Sequence, residues 1–167
     1  MNAQKLFRIP YVNTASMSFI FCRWERYKER CRGGDRVDVE ECHRVLRRGG
    51  YACIRNGTRE SDFPHRHFFP ALRALIGSDL PSRRDIEPVF AAGGFTLVVH
   101  QVVTQVTAPD WPSFIEKSAL CADSYLARLS DDDFQQGMAA LRSAGDAINQ
   151  DDAVTEEIDW FVFTRHG

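Results

Sequence analysis

The sequence predicts an α/β domain built on a largely parallel sheet, and three stretches carry that reading. Asp38 to Glu60, DVEECHRVLRRGGYACIRNGTRE, contains a helix, a stop, a strand and a polar loop in immediate succession. Ser82 to Thr107 repeats that order, with Gly93 and Gly94 between an amphipathic segment and a long run rich in β-branched residues. Ile158 to Thr164 adds another apolar strand near the end of the chain. Helices alternating with short apolar strands indicate a sheet covered by helices.

In the first stretch Val39, Cys42, Val45 and Leu46 recur at helical spacing and give one apolar stripe. Glu40, Glu41, His43, Arg44 and Arg47 fill the opposite face. Arg47 and Arg48 complement the negative end of the helix dipole, and the glycines beyond them close the helix. Tyr51 to Ile54 is short and mostly apolar, as a strand buried on both faces should be. Arg55, Asn56, Gly57 and Thr58 follow at its carboxyl end, where open α/β sheets bind their ligands.

ECHRVLRRGGYACIRN resembles a passage of class I S-adenosylmethionine-dependent methyltransferases (type 11-like), in which helix, Arg-Val-Leu-x-x-Gly-Gly and strand lead into the fifth strand of the fold. SRRDIEPVFAAGGFTLV resembles the next helix and strand, and EEIDWFVFTR the final antiparallel strand. The resemblance runs from about Ser16 to Arg165 and covers the second half of the family fold. It implies a partial Rossmann-like sheet, equivalent to strands four, five, six and antiparallel seven, with flanking helices. Residues 1–14 then form a lead segment, and 15–167 the C-terminal half of the domain with a helical insertion at 110–150.

The same resemblance implies S-adenosylmethionine as cofactor and a small-molecule methyl acceptor. The strand Ala15 to Cys22 is expected to end beside the cofactor, which puts Phe21, Cys22 and Arg23 near its adenosine or methionine part. Arg55, Asn56, Thr58 and Phe68 are expected to border the substrate, with Trp111 and Tyr125 of the insertion covering it. The family also needs a glycine-rich turn after its first strand and an acidic residue after its second, and neither is present. The glycine pairs at 33–34, 49–50 and 93–94 punctuate helices instead. The expectation is a truncated or degenerate methyltransferase domain, inactive when isolated. The alternative is a non-catalytic module that pairs with another chain. No Ser-His-Asp order, HExxH or phosphate loop assigns a catalytic residue.

Composition limits the remaining classes. A chain of 167 residues that is 44% hydrophobic can bury one core, and a formal net charge of -2 gives no general attraction to nucleic acid or anionic membrane. No run is long and apolar enough to span a bilayer, and MNAQKLFRIP lacks the hydrophobic centre of a secretory signal. Cys22, Cys31, Cys42, Cys53 and Cys121 are scattered without a CxxC pair, as reduced thiols of a cytoplasmic protein would be. Arg23, Arg26, Lys28, Arg30 and Arg32 alternate with Trp24 and Tyr27, but Glu25 and Glu29 break the field. That run reads as a solvated helix or loop, not as a nucleic-acid strip.

The rest of the chain supplies the flanks. Ala15 to Cys22 is expected at the sheet edge, because the family's first strand is missing beside it. Its Met17, Phe19, Ile20 and Phe21 would favour pairing with a second copy or a partner chain, unless Leu6 to Val12 folds back there. His65 and His67 would share a metal only from an extended segment, with no third ligand close by, so no metal site is expected. Leu72, Leu75 and Ile76 predict a short helix that stops at Gly77. Ser82 and Asp85 are spaced as a capping box, although Pro88 requires either that Asp85 is the true cap or that the helix kinks. His100 reads as a packed, hydrogen-bonded group. Asp110 caps a helix whose face includes Trp111, Phe114, Ile115, Ser118, Tyr125 and Leu129. Ser130 and Asp133 cap a second, with Phe134, Met138, Leu141 and Ile148, which completes a helical hairpin. Ile158 to Thr164 is apolar on both faces and should lie inside the sheet.

Overall fold

The final strand of the chain is an interior strand of the sheet. In the computed structural model, which describes residues 19–22, 34–121, 123–145 and 151–167, the strands are β1 (Phe19–Cys22), β2 (Tyr51–Asn56), β3 (Phe95–Ala108) and β4 (Val154–Arg165). Their order is β1-β2-β4-β3. β1 pairs parallel with β2, and β4 runs antiparallel to both β2 and β3. The expected interior place of residues 158–164 therefore holds, because Trp160 to Phe163 pair on both sides. The expected parallel character holds only for β1 with β2. β3 runs the same way as β2, but β4 stands between them.

Among the described residues the α-helices are α1 (Gly34–Val45), α2 (His65–Phe68), α3 (Leu72–Asp79), α4 (Arg83–Ala92), α5 (Trp111–Ala119) and α6 (Asp131–Gly145). α1 and α4 cover one face of the sheet. Val39, Cys42 and Leu46 pack with Ile86 and Phe90 on Ala52, Ile54, Phe95, Phe161 and Phe163. Phe90 stacks on Phe163 with ring centroids 4.2 Å apart. Val45 is a correction to the expected stripe, being 44% exposed where the helix ends and the chain turns away. α1 ends at Val45, before the expected glycine stop; Gly49, at φ 73°, belongs to the turn after it, in which the Gly50 N–H donates to the Arg47 carbonyl at 2.9 Å and the Gly49 N–H to the Arg165 carbonyl at 3.0 Å.

A second apolar cluster joins the remaining helices to the far ends of β3 and β4. It comprises Phe69, Leu72, Ile76, Leu80, Ala108, Phe114, Leu126, Met138, Leu141 and Val154. Here two sequence expectations are corrected. α3 continues past Gly77 to Asp79, because Leu80 is buried and its N–H reaches back to the Ile76 carbonyl at 2.9 Å. The helix after Asp110 ends at Ala119, and Cys121 takes φ 48°. Tyr125 therefore leads a separate 3-10 turn, Leu126–Arg128, and is not part of the α5 face. Both segments still bury their apolar groups in the same cluster.

The caps follow the local chemistry. Asp110 Oδ1 accepts from Ser113 N at 2.7 Å, and Ser130 Oγ accepts from Asp133 N at 3.2 Å. Ser82, not Asp85, is the N-cap of α4, accepting from Arg84 N. Pro88 sits inside α4 on its exposed face, where the backbone carbonyl it leaves unbonded can be hydrated. α5 and α6 pack against each other; Ile148 lies outside the described residues. No helix among the described residues is long and apolar enough to cross a membrane.

Candidate functional site

A cavity of about 180 Å³ opens at the carboxyl end of β2. Its sheet side is formed by Arg55, Asn56, Gln105, Glu156 and Ile158, its apolar floor by Phe63, Leu72, Ile76 and Leu80, and its helical side by His65, Asp123 and Tyr125. Arg55 Nη2 donates to Gln105 Oε1, and Gln105 Nε2 donates to Glu156 Oε1, so three strands are laced across the wall. Asn56 Nδ2 donates to the Gly57 carbonyl at 2.7 Å. This closes the turn that carries the chain away from the strand.

Behind that wall the loop is held by one carboxylate. Asp159 pairs in register with Asn56 and is fully buried. Its Oδ2 accepts from Thr58 Oγ1 at 2.7 Å and Ser61 Oγ at 2.8 Å. Its Oδ1 accepts from Arg83 Nε at 2.7 Å and His100 Nε2 at 2.6 Å. Burial pushes the Asp159 pKa up, but the hydrogen bonds from Thr58, His100, Arg83 and Ser61 outweigh it and hold the carboxyl below its ordinary range. His100 is a packed, hydrogen-bonded group, stacked on Phe161 at 4.2 Å.

His65 is the titratable group most enclosed in the cavity wall. Its Nε2 lies 2.9 Å from Ser118 Oγ, and Ser118 Oγ donates its single proton to the Phe114 carbonyl at 2.7 Å. The histidine nitrogen must therefore be the donor, which leaves the lone pair of the neutral ring on Nδ1. Burial lowers the His65 pKa; Asp123 opposes that shift and Lys117 adds to it. His67 faces away, 3.0 Å from Asp62 Oδ1 at the surface. Both histidines lie on one helix and point to different partners, so they form no pair. Among the described residues no three His, Cys, Asp or Glu side chains gather as a metal site.

The structure brings Arg55, Asn56 and Tyr125 to one cavity. Thr58 lies behind it, fully buried with its hydroxyl committed to Asp159. Phe68 and Trp111 meet edge to face at 6.0 Å in the helical layer, and Trp111 borders a separate groove of about 420 Å³ with Ile115, Arg142 and Gly145. Phe21 and Cys22 end β1, paired with Cys53 and Ile54. Arg23 lies outside the described residues. Sequence reasoning missed Asp123 and Glu156 and weighed His65 only as a metal ligand. Gln105 and Glu156 are register partners, a relation that polar residues in two separate strands do not announce.

The described residues do not fit the cofactor of the resembled family. Gly49 and Gly94 stand before strands, not after them. Gly57 does follow a strand, but a Cβ there would come within 2.3 Å of the Phe63 ring, so that ring, and no open cradle, occupies the space. Backbone approach to a cofactor needs open glycines at such a turn.

Comparison with solved structures locates the architecture. A presumed methyltransferase from Bacillus halodurans shares the fold at a TM-score of 0.50 and 10% identity, over 89% of this chain and 70% of that one. The fold is of the methyltransferase type. Haemonchus contortus phosphoethanolamine N-methyltransferase 2, crystallised with phosphomonomethylethanolamine and S-adenosylhomocysteine, is 16% identical, with a TM-score of 0.40 over 89% of this chain and 33% of its own. Geranyl diphosphate C-methyltransferase from Streptomyces coelicolor is 12% identical, with a TM-score of 0.40 over 88% of this chain and 46% of its own. The chain thus spans a third to a half of the length of these two methyltransferases. No protein-family model matches the sequence, and no curated protein does.

Proposed function

We propose that this chain carries the acceptor-binding side of a type 11-like, S-adenosylmethionine-dependent methyltransferase domain. The observation that carries the reading is antiparallel β4 lodged between β2 and β3, with a cavity at the carboxyl end of β2. In this reading β1, β2, β3 and β4 are the family's strands four, five, six and seven. Residues 1–14 are a lead segment and 15–167 the C-terminal half, interrupted by the insertion at 110–150.

Arg55, Asn56 and Tyr125 hold a small-molecule acceptor in the cavity, and Phe68 and Trp111 belong to its helical cover. Thr58 acts from behind, by fixing the loop on Asp159. Phe21 and Cys22, at the end of β1, stand on the cofactor side, and Arg23 follows them in the sequence. Methyl transfer rests chiefly on positioning of donor and acceptor, so the absence of an assigned catalytic acid does not argue against the reading. The missing cradle does bear on activity. The isolated chain is inactive in this reading and becomes active only beside a partner chain that supplies one, paired along residues 15–22.

The test is an NMR titration of the ¹⁵N-labelled chain with S-adenosylhomocysteine at millimolar concentration. Shifts confined to Phe21, Cys22 and the amides from Cys53 to Gly57 support the reading. No shift there, or shifts only at a distant surface, would overturn it.

A further inference from the structure

Among the described residues, the lining of the cavity at the end of β2 carries two carboxylates, Asp123 and Glu156, against one guanidinium, Arg55. On its sheet side Arg55 and Glu156 are joined through the Gln105 amide, so cation and carboxylate offset each other. On its helical side Asp123 adds a second carboxylate to the lining. Its Oδ1 accepts from the backbone of Tyr125 at 2.8 Å and of Leu126 at 3.2 Å, which orients the carboxylate without neutralising it. The two nearby cations are engaged elsewhere. Lys117 Nζ donates to the Thr107 carbonyl at 3.3 Å, and Arg128, 5.7 Å from the centroid of the Tyr125 ring, is matched by Asp79.

His65 adds to the same bias. With Nε2 committed as donor to Ser118, the neutral ring offers only an acceptor, Nδ1. Leu72 and Ile76 make the floor apolar. The space is also small: about 180 Å³, below the ~300–1,000 Å³ of clefts that take drug-sized ligands.

We infer that this cavity takes a small organic cation, a protonated primary or secondary alkylamine whose N–H groups meet Asp123 and His65 Nδ1 while its aliphatic body lies on Leu72 and Ile76. A carboxylate ligand would face Asp123 and an acceptor-only imidazole, and an alcohol would gain no charge balance. The inference rests on the reading of the cavity as the acceptor site in one respect: where that reading holds, the methyl acceptor is such an amine.

The experiment compares three probes of nearly the same shape on the full chain by NMR titration at pH 7: isobutylammonium chloride, isobutanol and sodium isobutyrate. Isobutylammonium should saturate the shifts of Gly57, His65 and Tyr125 at the lowest concentration. Asp123→Asn keeps the Oδ1 that caps the 3-10 turn and removes the charge, and it should weaken ammonium binding by about tenfold or more. If isobutanol or isobutyrate binds as well as the ammonium, or if Asp123→Asn binds it equally well, the cation assignment fails and the acceptor-site reading stands. If none of the three shows saturable binding, the cation assignment and the acceptor-site reading fail together.

Discussion

His100 Nε2 lies 2.6 Å from Asp159 Oδ1, and this bond ties outer strand β3 to interior strand β4 through side chains as well as backbone. The same carboxylate holds Thr58 and Ser61 of the loop after β2 and Arg83 at the start of α4. One residue thereby fixes four separate segments around the cavity. Four donors match the four lone-pair sites of a carboxylate, so the group is satisfied although no water reaches it.

Asp159→Ala should therefore be severe. It leaves Arg83 and His100 facing an empty, buried position and should cost about 3–5 kcal/mol of stability, read as a large fall in midpoint by urea denaturation. Asp159→Asn should lie between, because it keeps two acceptor and donor positions but not the charge. Unchanged stability in both variants would mean that the network adds nothing net.

The pH dependence follows with a definite sign. The folded pKa of Asp159 is depressed, so its contribution is present above the unfolded aspartate pKa near 3.9 and is lost as pH falls through the folded value. His65 acts at higher pH. Its folded pKa is also depressed, so the unfolded chain binds more protons below about pH 6.5 and stability declines as pH falls through that region. Denaturation curves from pH 8 to pH 5 should show this decline in the wild type and a smaller one in His65→Gln. Long-range ¹⁵N correlation spectra should show His65 at pH 7 as the neutral tautomer protonated on Nε2. A charged imidazole at that pH would contradict the tautomer derived from Ser118.

Two glycines give opposite expectations. A Cβ on Gly137 would come within 2.0 Å of the Phe69 ring, which is itself fully buried, so Gly137→Ala should cost about 1–3 kcal/mol through overpacking. Gly77 lies within α3 with open space around it, and Gly77→Ala should stabilise by about 0.5–1 kcal/mol. Thermal melts of the two single variants check both signs.

Binding of S-adenosylmethionine or S-adenosylhomocysteine by the isolated chain should be no tighter than millimolar, about 4 kcal/mol of binding free energy. The turn after β2 is filled by Phe63, and the described residues provide no other open glycine turn after a strand. A micromolar dissociation constant from calorimetry would show that a cradle exists outside them.

The local grammar of the chain was legible without coordinates. Gly94, Ser82, Asp110 and Ser130 mark helix ends by short-range backbone and side-chain chemistry. The β-branched run from Phe95 declares a strand by its preference for extended backbone, and the apolar run ending near Thr164 by being apolar on both faces. Even the interior place of β4 followed from that pattern.

What the tertiary structure alone decided is which distant residues share a wall. Thr58 and Asp159 are 101 residues apart, and Gln105 and Glu156 are 51 apart, and no local rule relates the members of either pair. Gly77 looked like a helix end and is not one, because buried Leu80 gains more from one further turn than the glycine costs. Tyr125 seemed to continue the α5 stripe, yet the left-handed Cys121 and the Asp123 cap start a new turn and bring it to the cavity. Helix stops and strand runs are set by interactions within a few residues, and the sequence carries them openly. The cavity depends on strand register and on loop closure across the sheet, and those emerge only when the burial of every segment is satisfied at once.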